Sequence, residues 1–595
     1  MSAVTSLLAA VWDRAGQAIE RTTGIDGVAK TVILGSIATV VVLLTVIPLA
    51  FLLWTSVWDG YPGQFSGTFT VENFVAVYLQ DAFDIPDLVV TTLIVAVGMT
   101  LVSGVFGLTF AWLFVRTNLP TKSAMELVLI SPYAVPGYIY AIMYIATYGP
   151  RNGLVSTFLE DSFGITTMPI DIFSPWGIAF VAGINGVTSF YLLTAPALQD
   201  MDPAFEEVGR IHGAGIFKTI RSVSLPLIKP AVLSAAFVTF LYGLGEFSVV
   251  AMLRSRKGVD VYSTAVWSAV NLQAPPEYGQ AAALSLSLLL VTVVLVWYYR
   301  KVTARKEEFM TVRGRGYQPR KWDLGKWRWP IAIALWVVLF VIWILPILVM
   351  ILASLHGQWL GQINLSELTL THYAQALEEQ RLRHAFENSV LVAVAGATIG
   401  TVIVVGLAYY TERTKGRFRG LVDFLSLTPL AVPGIIMGVS FLFAFLWFGK
   451  LHDVVDLYGT LWIIIIGSIV VFIPFSSRIA VGNIVQIHSE LEESARIFGA
   501  SWLQQMREIF LPLFKNTAAV LWFYLAIHIF QLLAVAMMTY TPDTVVLPVE
   551  LFNFYSERAN IELVSAISVL FISMAMLTVL AFRLTGITFY ELGER

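Results

Sequence analysis

The sequence of 595 residues contains no cysteine. This absence excludes disulfides, thiolate metal sites and cysteine nucleophiles. Charged residues are also scarce, at 13% of the chain, whereas soluble proteins carry about a quarter. The histidines do not form a ligand cluster, since three that share one predicted outer region are too widely spaced for a compact metal motif: His356, His372 and His384. We interpret these three as surface residues, and we predict no metal site and no catalytic residue in this chain.

Long apolar runs are what the sequence has in abundance, and 57% of its residues are hydrophobic. A membrane-spanning helix needs about 20 mostly apolar residues. The prolines and glycines within these runs are tolerated in bundled membrane helices. The runs predict an all-α integral membrane protein in contact with lipid, with twelve transmembrane helices at 31–57, 88–115, 125–148, 176–198, 230–253, 279–299, 330–355, 388–411, 421–449, 459–485, 516–540 and 562–584.

The predicted spans form two sets of six, because several motifs occur twice. SPYAVPG (131–137) matches TPLAVPG (428–434). EEVGRIHGAGIFKTIRSVSLP, from Glu206, aligns without a gap with EESARIFGASWLQQMREIFLP, which begins 286 residues later. The offset between matching motifs falls along the chain, so the first copy contains about 11 additional residues between Gly137 and Glu206. We place them in the loop around GPRNGLVSTFLEDSFGITTMPI.

The distribution of basic residues predicts the orientation in the membrane. With the N-terminus inside the cell, the cytoplasmic segments hold 29 of the 37 Lys and Arg residues. Both sets of spans then begin on the cytoplasmic side, so we expect parallel repeats related by a twofold axis along the membrane normal. The predicted parts are a cytoplasmic N-terminal segment (1–30), a first six-helix half (31–299), a basic cytoplasmic linker (300–329), a second six-helix half (330–584) and a cytoplasmic C-terminal tail (585–595).

The two repeated polar inserts lie between the fourth and fifth spans of each half, on the predicted cytoplasmic side. In the second copy, Ser489 and Glu492 have the spacing of a capping box, which predicts the start of a helix. In the first copy, Asp202 and Pro203 supply an N-cap and a proline at the first helical position. An interfacial helix lying on lipid headgroups would account for one such insert. Two copies with the same acid-to-glycine spacing favour a docking element for a symmetric partner.

Each insert resembles the signature of permease subunits of binding-protein-dependent ABC importers, of the type I architecture. The signature is a glutamate, a glycine six residues later, a hydrophobic residue and then Leu-Pro. It is carried here by Glu207, Gly213, Val223, Leu225 and Pro226, and again by Glu493, Gly499, Ile509, Leu511 and Pro512. The resemblance implies that each insert is a coupling helix seated in a groove of an ATP-binding subunit. The residues that it implies for coupling are Glu206, Glu207, Arg210, Gly213, Ala214, Leu225, Pro226, Glu492, Glu493, Arg496, Gly499, Ala500, Leu511 and Pro512.

The resemblance also implies the rest of the assembly. Two copies of the ATP-binding subunit, which bind ATP and Mg²⁺, would dock on the cytoplasmic side. A periplasmic or lipid-anchored binding protein would deliver the cargo on the outer side. The chain itself would be a permease of the bacterial inner cell membrane and not an enzyme, with no cofactor of its own and no nucleic-acid partner. GAGIFKT (213–219) lacks the glycine before the lysine that a phosphate-binding loop requires.

Glu246 is the one acidic residue that we place within a span. A charged residue there costs about 2.5–3.5 kcal/mol on insertion scales and usually faces the bundle interior. Tyr242 lies four residues earlier and should share its face. In the second half, Gln531 corresponds to position 245, and His528 precedes it on the same face. We expect these four residues to line a translocation path or gate. A buried hydrogen bond between helices is the alternative, equally compatible with Glu246 and preferred for His528.

The cargo is indicated by resemblance alone. The fused two-half layout, LLAVAMMTYTPDTVVLPVELFNFY after Gln531 and GEFSVVAML from Gly245 are most similar to ferric-iron importer permeases. Related permeases carry polyamines, 2-aminoethylphosphonate, thiamine or inorganic anions, and these stay as alternatives. A secondary transporter with parallel repeats is the alternative class. It would need several charged residues within the spans for ion coupling, and it gives no reason for the duplicated insert.

Overall fold

A computed structural model of the protein describes residues 26–64, 66–80, 82–166, 171–202, 204–254, 258–303, 321–414, 418–451, 457–558 and 560–584. The predicted N-terminal segment up to residue 25, the middle of the basic linker (304–320) and the C-terminal tail (585–595) lie outside these ranges. Within them the chain is helical, with isolated β-bridges in place of strands. The prediction of an all-α protein is therefore confirmed.

The helices of the first half run from residue 26 to residue 303. They are α1 (Asp26–Ser56), α2 (Glu72–Leu79), α3 (Ile85–Arg116), α4 (Lys122–Ile130), α5 (Gly137–Tyr148), α6 (Leu154–Phe163), α7 (Pro175–Asp200), α8 (Ala204–Ile211), α9 (Ile216–Thr219), α10 (Leu225–Leu244), α11 (Ser248–Leu253), α12 (Tyr262–Asn271) and α13 (Tyr278–Thr303). A π-helical turn, Ile220–Ser224, joins α9 to α10.

The helices of the second half run from residue 328 to residue 584. They are α14 (Arg328–Leu339), α15 (Leu345–Leu355), α16 (Thr371–Glu378), α17 (Gln380–Arg413), α18 (Arg419–Leu427), α19 (Gly434–Leu451), α20 (Leu461–Ile484), α21 (Glu490–Ile497), α22 (Trp502–Gln505), α23 (Leu511–Gln531), α24 (Ala534–Thr539), α25 (Leu547–Arg558) and α26 (Ile561–Leu584). π-Helical turns join α14 to α15 (Phe340–Ile344) and α22 to α23 (Met506–Phe510).

Nine helical segments in the described ranges are long and apolar enough to cross a membrane. They correspond to nine of the twelve predicted spans, and α26 corresponds to the last. The other two predicted spans, 125–148 and 421–449, are not straight helices. α4 and α5 meet at 111°, and α18 and α19 meet at 112°. Both bends fall at the repeated AVPG motif, because a proline forces the residue before it out of the helical conformation.

The predicted fifth spans, 230–253 and 516–540, are interrupted as well. Three residues separate α10 from α11, and two separate α23 from α24. Gly245 lies in the first break, where an added Cβ would come within 2.6 Å of Pro433 in the AVPG motif of the other half. Close approach of the two halves therefore requires a glycine here. Our prediction of continuous helices was wrong at both positions.

The repeat is visible in the helix bounds themselves. α8, α9 and α11 begin and end 286 residues before α21, α22 and α24. The additional residues of the first half lie between α5 and α7, and they include α6. The predicted duplication and the predicted place of the additional residues are both confirmed.

The first long helix of each half packs against the other half. α1 contacts α17, α18 and α19, and α15 contacts α5. The hydroxyls of Tyr144 and Tyr148 in α5 donate hydrogen bonds to the carbonyls of Ile342 and Val341, at 3.0 and 2.7 Å. The two halves are thus interlocked by these contacts.

Within the first half, α3 and α7 approach closely because small residues face each other. A Cβ on Gly183 would lie 2.5 Å from the Cβ of Val102, and one on Gly98 would lie 2.7 Å from the Cβ of Ala179. The hydroxyl of Ser103 donates a hydrogen bond to the Gly183 carbonyl at 2.7 Å. Small residues and interhelical hydrogen bonds drive helix association in lipid. This pair of helices places the end of α7 beside the end of α3, where the first insert begins.

Two of the histidines that we predicted at the surface are buried. His356 is 1% exposed and His372 is 7% exposed. The His356 ring accepts a hydrogen bond from the Asn364 backbone N–H at 3.1 Å, and the His372 ring bonds to the His356 carbonyl at 3.1 Å. Both rings hold together the connection between α15 and α17, so the surface prediction was wrong for them. His384 is exposed, as predicted.

Candidate coupling inserts and the interface between the halves

The first insert (204–224) and the second insert (490–510) share one backbone design. A short helix ends at a glycine with a left-handed backbone, Gly213 with φ +75° and Gly499 with φ +83°. The next N–H, from Ala214 or Ala500, bonds back to a carbonyl five residues earlier at 3.0 Å in both copies. This is the hydrogen bond of a Schellman motif, which needs a left-handed residue at that position. The glycines therefore turn the chain, as the sequence predicted.

A buried carboxylate anchors the first insert. Glu206 is 4% exposed, and its Oε2 lies 2.9 Å from Nη2 of Arg116, in the last turn of α3. Ser224 Oγ and Trp322 Nε1 also donate hydrogen bonds to this carboxylate, at 2.6 and 3.1 Å. The insert is thus fixed to the end of the second span and to Trp322, near the C-terminal end of the linker.

The second insert has a matching anchor with different partners. Glu492 is 5% exposed, and it accepts a hydrogen bond from the Tyr409 hydroxyl at 2.7 Å. Nε of Arg413, in the last turn of α17, lies 3.5 Å from its carboxylate. Lys30, at the start of α1, lies 5.5 Å from the Tyr409 ring. Burial and then the charge of Arg496 lower the pKa of Lys30, whereas Glu492 opposes this shift.

The two arginines have a second role in common. Each also donates hydrogen bonds to backbone carbonyls where the fourth span ends, and these carbonyls again correspond at an offset of 286: Leu198 and Met201 for Arg116, and Ile484 and Ile487 for Arg413. Each arginine therefore joins the second span, the fourth span and the insert of its own half.

We did not predict these two arginines from the sequence, although a repeated Arg-Thr pair marks both of them. Arg116-Thr117 and Arg413-Thr414 recur 297 residues apart, which is the offset of the AVPG motif. Trp322 and Tyr409 have no such repeat, because the two copies use different partners around the same carboxylate. Nothing in the sequence pattern distinguishes these two residues.

The second insert begins its helix at Glu490, directly after Ser489, as predicted, but the capping box predicted there does not form. Ser489 makes no side-chain capping hydrogen bond, because Glu492 is turned away into its buried ion pair. The capping box forms one helix later, between Ser501 and Gln504. In the first insert, Asp202 accepts a hydrogen bond from the Ala204 N–H at 2.9 Å, and Pro203, predicted at the first helical position, lies outside the described residues.

The other residues implied for coupling occupy corresponding places. Glu207 is half-buried and Glu493 is exposed, whereas the glutamate that precedes each of them is buried. Arg496 is exposed, and the side chain of Arg210 lies outside the described part. The Leu-Pro pairs begin α10 and α23, directly after the π-helical turns. They are Leu225-Pro226 and Leu511-Pro512.

The ends of both inserts expose apolar side chains. Ile211 and Ile497, at equivalent positions, are 82% and 83% exposed. Phe217 and Phe498 are each 88% exposed. Exposed apolar groups of this size, rimmed by charged residues, mark surfaces that bind another protein or a membrane.

Glu246 lies in the break between α10 and α11, and not within a helix. Its Oε1 accepts a hydrogen bond from the Val249 N–H at 2.9 Å, and lies 3.8 Å from the Cβ position of Gly137. Because α10 ends at Leu244, the argument that Tyr242 shares a helix face with Glu246 was wrong. The carboxylate instead stands beside the AVPG bend of its own half.

The other three path residues lie at the ends of the fifth spans. Tyr242 and His528 occupy equivalent positions in α10 and α23, and Gln531 is the last residue of α23. Tyr242 is 60% exposed. Nδ1 of His528 bonds to the Tyr524 carbonyl of its own helix at 3.0 Å. The bond between helices that we preferred for His528 is therefore replaced by one within its own helix.

The described residues contain no group of three or more His, Asp or Glu side chains that could hold a metal ion. What the geometry defines is a helical membrane protein of two repeats. Each repeat has a clamped polar insert at one end and broken helices near its middle. This is the architecture of a membrane component of a transport system.

Comparison with known families agrees with this class. The family described as "Binding-protein-dependent transport system inner membrane component" matches residues 85–308 and 400–588. The chain belongs to this family. It is a multi-pass inner-membrane component of a transport system, and the predicted family is confirmed.

The names of individual relatives state different cargoes. The chain is 24% identical over 419 residues to the ferric transport system permease protein FbpB of Actinobacillus pleuropneumoniae, which covers 70% of this chain and 59% of the relative. It is 19% identical over 475 residues to the Fe(3+)-transport system permease protein FbpB 2 of Haemophilus influenzae, covering 79% and 84%. It is 25% identical over 283 residues to the sulfate transport system permease protein CysT of Salmonella typhimurium, covering 46% and 92%. The chain thus spans less than two thirds of the length of FbpB from Actinobacillus pleuropneumoniae.

Proposed function

We propose that this chain is the permease subunit of an ATP-driven importer. The family supports a transport component that depends on a binding protein. Two copies of an ATP-binding subunit, with their ATP and Mg²⁺, would dock on the two inserts, and an external binding protein would deliver cargo to the opposite face. The predicted orientation, with both termini in the cytoplasm of a bacterial cell, follows from the basic residues and belongs to the same proposal.

Ferric iron is the cargo that we propose. The names of two relatives that cover most of this chain support it. The sulfate permease aligns with less than half of the chain, so sulfate is the weaker candidate. Polyamines, 2-aminoethylphosphonate, thiamine and other inorganic anions stay as alternatives. A secondary transporter has no support from the family.

The observation that carries the proposal is the matched pair of inserts. The helices of both inserts begin and end at equivalent positions, 286 residues apart, and both inserts turn at a left-handed glycine. Each also has a buried glutamate paired with an arginine at the end of the second span of its half. Both present an isoleucine that is more than four-fifths exposed, Ile211 and Ile497. Two copies of one docking element fit two copies of one partner.

Replacing Ile211 and Ile497 together with aspartate should abolish docking of the cognate ATP-binding subunit. An apolar anchor in an interface contributes about 2 kcal/mol or more, which is roughly a thirtyfold change in affinity. Copurification of the subunit with the full-length permease in nanodiscs, and its ATP hydrolysis there, would measure the loss. Leu79→Asp is a matched control, since Leu79 is 76% exposed but lies in α2, outside both inserts. Normal docking by the double variant would show that these two isoleucines do not anchor the ATP-binding subunit.

A further inference from the structure

Aromatic side chains from both halves meet where the fifth spans end. The ring of Tyr133, beside the AVPG bend of the first half, lies 5.9 Å from the ring of His528 in the second half. Tyr524 and Phe472 lie 4.2 and 5.5 Å from the same imidazole. Tyr242 of the first half occupies the place in α10 that His528 occupies in α23. The cluster therefore lies across the interface of the halves.

The polar atoms of this cluster are not used by the fold. No hydrogen bond to another described residue is made by the hydroxyls of Tyr133, Tyr242 and Tyr524. Tyr242 and Tyr133 are 60% and 40% exposed, so both rings are accessible to a ligand. Three phenol oxygens without a described hydrogen-bond partner are therefore available here to bind a ligand.

His528 is oriented to offer a lone pair in the same place. Its Nδ1 faces the Tyr524 carbonyl at 3.0 Å. A carbonyl only accepts hydrogen bonds, so Nδ1 carries the proton and Nε2 keeps its lone pair. An imidazole fixed through one nitrogen to a backbone carbonyl is the usual arrangement of a metal-binding histidine.

We propose that Tyr133, Tyr242, Tyr524 and His528 form a transient coordination site for a hard metal cation on its way between the two halves. The proposal rests on the proposed function and deepens it, because it assigns residues to the passage of a ferric cargo. Each coordinating phenol would release its proton to water as its oxygen binds the cation.

The chemistry of the site favours a cation over an anion. Phenol oxygens and an imidazole nitrogen donate electron pairs, and the aromatic faces carry negative potential. Neither Lys nor Arg is among the four residues, and the nearby break in the fifth span holds a carboxylate, Glu246. Binding by a few ligands also leaves the cation free to move on, which passage through a membrane requires.

The test uses the full-length permease in nanodiscs and ferric citrate as the probe. Iron bound to phenol oxygen absorbs visible light, so titration of the wild type should give a saturable absorbance band. Replacing the three tyrosines by phenylalanine keeps the rings and removes the oxygens, and the band should disappear. Single changes such as Tyr242→Phe should weaken binding at least about tenfold. Tyr298→Phe, an exposed tyrosine of α13, is the control and should bind as the wild type does.

Two results would overturn the site. One is a band of wild-type strength and affinity in the triple phenylalanine variant. The other is transport that survives in Tyr242→Phe but fails in Tyr242→Leu, since the ring and not the oxygen would then act on the cargo. Because the titration needs neither ATP nor partners, it is separable from the proposed function. ATP-driven iron uptake by both wild type and triple variant would leave the importer intact and reject the site alone.

Discussion

Replacing Gly213 and Gly499 together with valine is expected to uncouple the permease from its ATP-binding subunits. A left-handed backbone costs a residue with a Cβ about 1–2 kcal/mol, and a β-branched residue is a still greater outlier there. No atom lies within 4 Å of either Cβ position, so the cost is conformational and not steric. Cargo-stimulated ATP hydrolysis should fall at least about tenfold, while the membrane helices still assemble.

Two control variants isolate the backbone effect. Gly215 lies in the same insert with open space around its Cβ position and φ of −72°, and the second insert has Ser501 at the equivalent position. Gly215→Val should therefore hydrolyse ATP as the wild type does. Asparagine tolerates the left-handed conformation better than other residues with a Cβ, so Gly213→Asn with Gly499→Asn should keep most of the activity. Full stimulation in the double valine variant would show that the turn has no part in coupling.

Replacing Glu206 or Glu492 with glutamine should release the corresponding insert from the membrane helices. The substitution keeps the shape but leaves an arginine buried without its counter-charge. Breaking one partner of a buried ion pair costs about 3–5 kcal/mol. Hydrogen exchange of the insert amides, measured by mass spectrometry on the permease in nanodiscs, should accelerate strongly in the altered half and stay unchanged in the other.

The neighbouring acids are the matched controls for this experiment. Glu207→Gln and Glu493→Gln each remove a charge next to the buried glutamate. Glu207 itself is half-buried and Glu493 is exposed, so hydrogen-exchange protection of the insert should change little. Replacing both members of the first pair, with Arg116→Met and Glu206→Leu, should recover much of the loss, because no buried charge is then left alone. If Glu206→Gln and Glu207→Gln behaved alike, the buried pair would not be what holds the insert.

The sequence predicted the spans, the duplication and the turning glycines, because each depends on a local pattern. Apolar run length predicts a span, and a glycine six residues after an acid occurs in both copies. The prediction of continuous spans was wrong where contacts with distant residues matter more than the local pattern. A Cβ at Gly245, in the break of the first fifth span, would lie 2.6 Å from Pro433 of the other half, and the composition does not indicate that contact.

The functional residues divide in the same way. The sequence identified the acid pairs of both inserts but not that Glu206 and Glu492 are the buried members. That distinction depends on the ends of α3 and α17, about 80 to 90 residues earlier. Tyr133 and Tyr524 escaped notice since neither has an equivalent aromatic in the other copy. They become a pair only when the two halves are packed together.

The measurement that tests the central claim most directly is uptake of ferric iron by proteoliposomes that contain the permease and its cognate ATP-binding subunits. The binding protein and ferric citrate are supplied at the face opposite the inserts, and ATP at the insert face. We predict uptake that requires ATP and the binding protein and that is lost in the Gly213→Val, Gly499→Val double variant. Uptake driven by an ion gradient without ATP would contradict the account.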